Sequence, residues 1–174
     1  MADIVFRPEG FKEAASSLEG SRELILTRMN QMLRRVGQLL VPALKAKTPV
    51  GASHHLRNYT VFSIRGMAED MIMEVRQSAQ SDTGYFYGMA VIGGTRPHFP
   101  PYRKLIPWVQ AVLGVTGKKA TSVAFLVARK ISEVGTQPNP YPTQVLNENI
   151  AAIQGIVDQE GVSLSAELWK PRRG

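Results

Sequence analysis

Apolar residues recur at three-and-four spacing early in the chain. Ile25, Met29, Met32, Val36, Leu40 and Ala43 make one stripe, which Leu26 and Leu33 widen. A period near 3.6 residues places them on one side of a helix, so the spacing predicts a long helix over 21–47. Ser21 suits its N-cap and Pro49 its end. Arg28, Gln31, Arg35 and Gln38 fall on the polar side, and Pro42, lacking an N–H, predicts a kink in the last turns. The rhythm then changes to period two. Residues 59–65 and 71–77 read as strands of a hairpin linked by 66–70, with Met71, Met73 and Val75 on one face and Phe62 and Ile64 alternating with Val61 and Ser63. Ahead of the long helix, residues 3–7 read as a short strand or arm and 11–18 as a short helix broken near Gly20.

Further along, 85–92 is apolar enough to be largely buried, but its period does not separate a strand from a short helix. A helix is predicted over 103–113 with Leu105, Ile106, Val109, Val112 and Leu113 inward. Pro107 is placed in its first turn, which moves the start to about Ile106 and sets Trp108 at the beginning as a large anchor. Gly114 and Gly117 end that helix. Another follows over 119–134 with Val123, Ala124, Val127, Ala128 and Ile131 inward, and a last over 143–160 lined by Leu146, Ile150, Ile153 and Val157. The fold class expected is α+β: a long N-terminal helix and a small antiparallel sheet of three or four strands with helices packed on one side. Residues 1–162 are expected to be one domain, and 163–174 a basic, mobile C-terminal tail.

Two segments are stiffer than ordinary loops. In the first, Gly93 and Gly94 permit a sharp turn, and Pro97, Pro100 and Pro101 then fix an extended connector that holds Thr95, Arg96, His98 and Phe99. The second, 135–142, carries Pro138, Pro140 and Pro142 around Tyr141. Polar side chains on rigid loops suit recognition, although the same residues also make a structural corner.

The 174 residues are 44% hydrophobic and 7% aromatic, as in ordinary soluble proteins. No run is long enough to span a bilayer, and the N-terminus has no signal-peptide core. The net +7 has an uneven origin: 24–68 and 83–132 contain no Asp or Glu. Such blocks suit DNA phosphate or an acidic protein, and equally a scattered, solvated set of bases. Arg28 and Arg35 on the long helix, with Lys118 and Lys119, are the candidates for an electrostatic surface. With no cysteine, disulfides, thiolate metal sites and cysteine nucleophiles are excluded. Phosphate-binding glycine loops and a nucleophile elbow are missing, and adjacent His54 and His55 lack the spacing that aims two imidazoles at one metal. No catalytic activity, cofactor or metal is expected.

Lys45 with Pro49, then Gly51, Leu56–Arg57, Tyr87, Gly94–Thr95, Pro97–His98–Phe99 and Trp108 follow one another in a definite order. Ile131, Gly135, Pro140 and Tyr141 continue it. This order resembles the tail-completion, or neck, family of long-tailed bacteriophages (gene-product-ten-like minor tail proteins) over residues 10–160. Two departures stand out: Ile92 occupies a position where the family often has glutamate, and 50–55 differs in length and content from the family's usual link. The resemblance implies a structural protein of the virion, assembled in the host cytoplasm, that completes the tail and joins it to the head. Its implied partners are further copies of itself in a six-membered ring, tail-tube or tail-terminator proteins and head-connector proteins. DNA contact in the channel is a further implication, and a membrane is not. Gly94, Thr95, Arg96, Pro97, His98, Phe99, Trp108, Pro140 and Tyr141 are the interface candidates. The alternative is a nucleic-acid-binding protein without sequence preference, using the basic blocks.

Overall fold

A computed structural model describes residues 3–6, 21–51, 54–67, 70–80, 84 and 86–169. The elements in chain order are β1 (Asp3–Phe6), α1 (Arg22–Lys47), α2 (His55–Asn58), β2 (Thr60–Arg65), β3 (Ile72–Gln77), α3 (Gly88–Gly93), α4 (Tyr102–Leu113), α5 (Gly117–Val134) and α6 (Tyr141–Leu168). The fold is α+β, with one small antiparallel sheet in the order β1-β3-β2. Residues 3–7, read as strand or arm, supply β1, which pairs antiparallel with β3 from Asp3 opposite Arg76 to Phe6 opposite Met73. The short helix expected over 11–18 lies outside the described residues.

The chain falls into two compact units interleaved in sequence. One gathers Leu44–Thr60 and Gln77–Thr143, the other Asp3–Ala43, Val61–Arg76 and Gln144–Gly174.

The second unit holds the long-helix core. Ile25, Met29, Met32, Leu33, Val36 and Leu40 of α1 are buried, as the stripe requires, together with Met71, Met73 and Val75 at β3. A Cβ on Gly37 would stand 2.5 Å from the Phe62 ring, so only glycine lets α1 approach β2 this closely. Here α6 corrects the sequence reading in two ways. It continues to Leu168, so 163–168 is helix and not tail, and 170–174 lies outside the described residues. Ile150, placed inward by period, is 63% exposed, while Val145, Ile153 and Glu160 are buried. The buried face therefore lies around the helix from the one that Ile150 marks.

In the other unit α4 and α5 pack around Val109, Ala120 and Ala124, with Leu105, Ile106, Trp108, Val115 and Val123 against them. Small alanines on α5 allow that approach. α4 begins at Tyr102, five residues before Pro107 and not at Ile106. The proline leaves the Arg103 carbonyl without its helical donor, and both residues are exposed, where water replaces the lost bond. Val112 and Leu113 are exposed, not inward, and the helix ends at Gly114 in the left-handed conformation, φ 67°. Of the ambiguous stretch 85–92, residues 88–92 lie in the helix α3, and residue 85 lies outside the described residues. The helix is less buried than its composition suggests, since Met89 is exposed and Val91 and Ile92 are half-buried.

Candidate functional site

The two stiff loops, 41 residues apart in sequence, lie side by side. Thr95 N–H donates to the Thr136 carbonyl at 3.2 Å, and Thr136 N–H donates back to the Thr95 carbonyl at 3.2 Å. Their hydroxyls meet at 3.0 Å. One rung of an antiparallel ladder thus joins the loops by both backbone and side chain. Asn139 N–H donates to the Val91 and Ile92 carbonyls, each at 3.1 Å, satisfying orphan carbonyls at the end of α3. His98 N–H donates to the Ile131 carbonyl at 3.4 Å.

Glycine makes this closeness possible. Gly94 has φ 70° and Gly135 φ 73°. A Cβ on Gly94 would stand 2.4 Å from the Thr136 carbonyl oxygen, and one on Gly135 would stand 1.9 Å from the Thr95 carbonyl oxygen. Both positions exclude any side chain, for conformation and for space.

The clamp divides the interface candidates. Arg96, Pro97, His98, Phe99 and Pro140 are exposed, while Gly94 and Thr95 are half-buried in the clamp itself. His98 Nδ1 lies 2.9 Å from the Arg96 carbonyl, which accepts its proton and holds the ring against its own loop. Phe99 meets Phe125 of α5 edge-on at 6.0 Å.

Tyr141 is a correction. It is 1% exposed and unavailable to a partner. Its hydroxyl donates to Gln77 Oε1, and Gln77 Nε2 donates to Thr48 Oγ1 at 2.9 Å and Thr60 Oγ1 at 3.0 Å. The threonines donate onward to the Leu44 and Leu56 carbonyls. Every proton in this buried network has an acceptor. Burial raises the Tyr141 pKa above 10.0, outweighing its side-chain hydrogen bonding with Thr48 and Gln77, which acts the other way.

Trp108 is half-buried in the second turn of α4, not at its start. It lines an open cleft of about 270 Å³ with Pro49, Gly51, His55, Leu56 and Tyr87. Five of the residues in the ordered series, Pro49, Gly51, Leu56, Tyr87 and Trp108, line this one cleft. Burial, and secondarily the proximity of Tyr59, raises the Tyr87 pKa. His54 is left-handed at φ 54°, while His55 opens α2 and packs edge-on against Tyr59 at 5.8 Å.

The electrostatic candidates also divide. Arg28 pairs with Glu167 and stands 3.7 Å from Glu160, and Arg35 reaches Glu160 at 2.5 Å and Gln159 at 2.6 Å. These two arginines do point the same way, but towards α6 carboxylates and not a free surface. Lys118 and Lys119 are exposed at the start of α5. The charge asymmetry is one of units. The ranges of the α4–α5 unit hold ten Lys and Arg against two acids, Asp82 and Glu133; those of the other unit hold eleven against twelve.

Among the described residues no group of three or more His, Asp or Glu could hold a metal ion, and no single helix is long and apolar enough to cross a membrane. Comparison of the chain with protein-family models, curated proteins and solved structures finds no match.

Sequence reasoning missed Gln77, Gly37 and the exposed pair Phe125–Leu126. Only the last had a signal: both fall outside the inward set of Ala124, Val127 and Ala128, on a helix otherwise polar there.

Proposed function

We propose that this chain is a structural protein of a tailed-phage virion, completing the tail and joining it to the head through a ring of copies. The observation that carries the reading is the clamp at Thr95 and Thr136, which holds Arg96, Pro97, His98, Phe99 and Pro140 as one exposed, preorganised edge. A loop backbone already fixed before contact loses little entropy on binding, which suits assembly on a template. Heterologous contacts between unlike faces close into rings when the rotation permits, and six copies match tail symmetry. Support for the virion itself comes from the ordered resemblance, whose Pro49, Gly51, Leu56, Tyr87 and Trp108 share one cleft. Tail-tube or tail-terminator proteins and head-connector proteins are the proposed neighbours. The reading gives the chain no catalytic step, cofactor or metal.

The test is a double Arg96→Ala, His98→Ala variant in a phage carrying the gene. Both residues are exposed, so stability should change by less than about 0.5 kcal/mol while heads and tails accumulate unjoined. Normal yields of infectious particles would overturn the reading. A second reading, nucleic-acid binding without sequence preference, draws on the ten bases of the α4–α5 unit. It requires duplex binding that weakens steeply and uniformly with salt.

A further inference from the structure

Phe125 and Leu126 are large apolar side chains left 46% and 59% exposed on α5. With Tyr102, Thr121 and Ser122 they line an open groove of about 390 Å³. Tyr102 meets Phe125 edge-on at 5.7 Å, and Phe99 closes the same cluster. The rim is cationic. Lys118 and Lys119 lie one turn before Ser122, and Arg129 and Lys130 one turn after Phe125 and Leu126. The one acid near this rim by sequence, Glu133, is shared by Arg129 at 3.4 Å and Lys130 at 3.8 Å. Lys118 and Lys119 have no ion pair among the described residues.

We propose that this groove docks an acidic, amphipathic segment of a partner protein. One or two aliphatic or aromatic side chains seat on Phe125 and Leu126, and flanking carboxylates meet the lysines and arginines of the rim. The chemistry decides against the other polyanions. Phosphodiester would neutralise the rim but gain nothing by covering Leu126. The three aromatic rings already engage one another edge to face, so no stacked row of ring faces is offered to bases. An acidic amphipathic segment satisfies both rim and floor. This inference stands apart from the virion reading and needs only the isolated chain.

The experiment is fluorescence anisotropy of the full chain with two labelled synthetic peptides of about 16 residues, one with leucine and glutamate at helical spacing and one alternating them. At least one should bind with a Kd below about 1 mM. Replacing its glutamates by glutamine should weaken binding about tenfold or more, as should Leu126→Asp or paired Lys118→Glu, Lys119→Glu in the protein. These are exposed positions, and an unchanged circular-dichroism spectrum and melting temperature confirm the fold. Three results would overturn the proposal: binding of neither peptide, binding indifferent to all these changes, or tighter binding of a single-stranded oligonucleotide or an anionic vesicle than of either peptide. Self-association of the chain abolished by Leu126→Asp would equally overturn it, by making a second copy the occupant.

Discussion

Replacing Gln77 by leucine, close to it in shape, tests how the buried network holds its unit. The change removes the acceptor for the Tyr141 hydroxyl and the donor to both threonines. The threonines still donate to backbone carbonyls, so they lose an incoming bond and leave no proton stranded. Tyr141 is different: its buried hydroxyl loses the Gln77 acceptor, at a cost of about 1–3 kcal/mol, and each lost threonine bond adds roughly 0.5–1. The single variant should therefore lose about 3 kcal/mol. Tyr141→Phe leaves the Gln77 carbonyl oxygen unpaired and should cost about 1–1.5 kcal/mol. In the double variant no proton is stranded, so its loss should fall short of the summed single losses by about 1 kcal/mol or more. Urea unfolding with an unchanged slope reads all three values. Strict additivity, or a Gln77→Leu loss below about 0.5 kcal/mol, would refute the argument that satisfaction of the Tyr141 proton governs this network.

Gly135→Ala should destabilise by several kcal/mol, since its Cβ would stand 1.9 Å from the Thr95 carbonyl at a φ of 73°, whereas Gly155→Ala on open helix should stabilise by about 0.5–1 kcal/mol; thermal melts of the two distinguish clamp strain from a general effect of glycine. The raised pKa of Tyr141 sets an alkaline limit: the unfolded tyrosine ionises first, so its contribution is intact below pH 10.0 and is lost as pH rises through the folded value. Tyr141→Phe should flatten part of that alkaline slope in denaturation measured across the range, and only part, because the Tyr87 pKa is raised too. Arg35→Ala should cost about 1–2 kcal/mol by leaving the buried Glu160 with Arg28 alone at 3.7 Å, without altering DNA retention in a gel-shift series. Loss of DNA binding with unchanged stability would show instead that Arg35 faces a ligand.

The sequence by itself determined those features that depend on local period and local backbone chemistry. The α1 stripe, the hairpin, the α+β class and the turn at Gly94 all follow from residues within a few positions of one another, and each was legible. Element ends were less so, because ends depend on what lies beyond them. α6 passed its expected stop at 160 to Leu168, where the structure supplies Arg28 to Glu167. Periodicity identifies a helix but leaves open which side of it meets the core, so Ile150 and Leu113 were assigned inward and emerged exposed. The candidate site was half legible. Both loops were found from their glycines and prolines, but nothing in either segment announced that Thr95 bonds Thr136. The fate of charged and polar residues was decided by tertiary structure alone. Arg28 and Arg35 read as free because no acid lies near them in sequence, yet their carboxylates arrive from over a hundred residues away. Tyr141 read as a surface aromatic among prolines until Gln77 supplied an acceptor inside. Hydrogen bonds and ion pairs take their partners through space, and a sequence records partners only when they are neighbours along the chain.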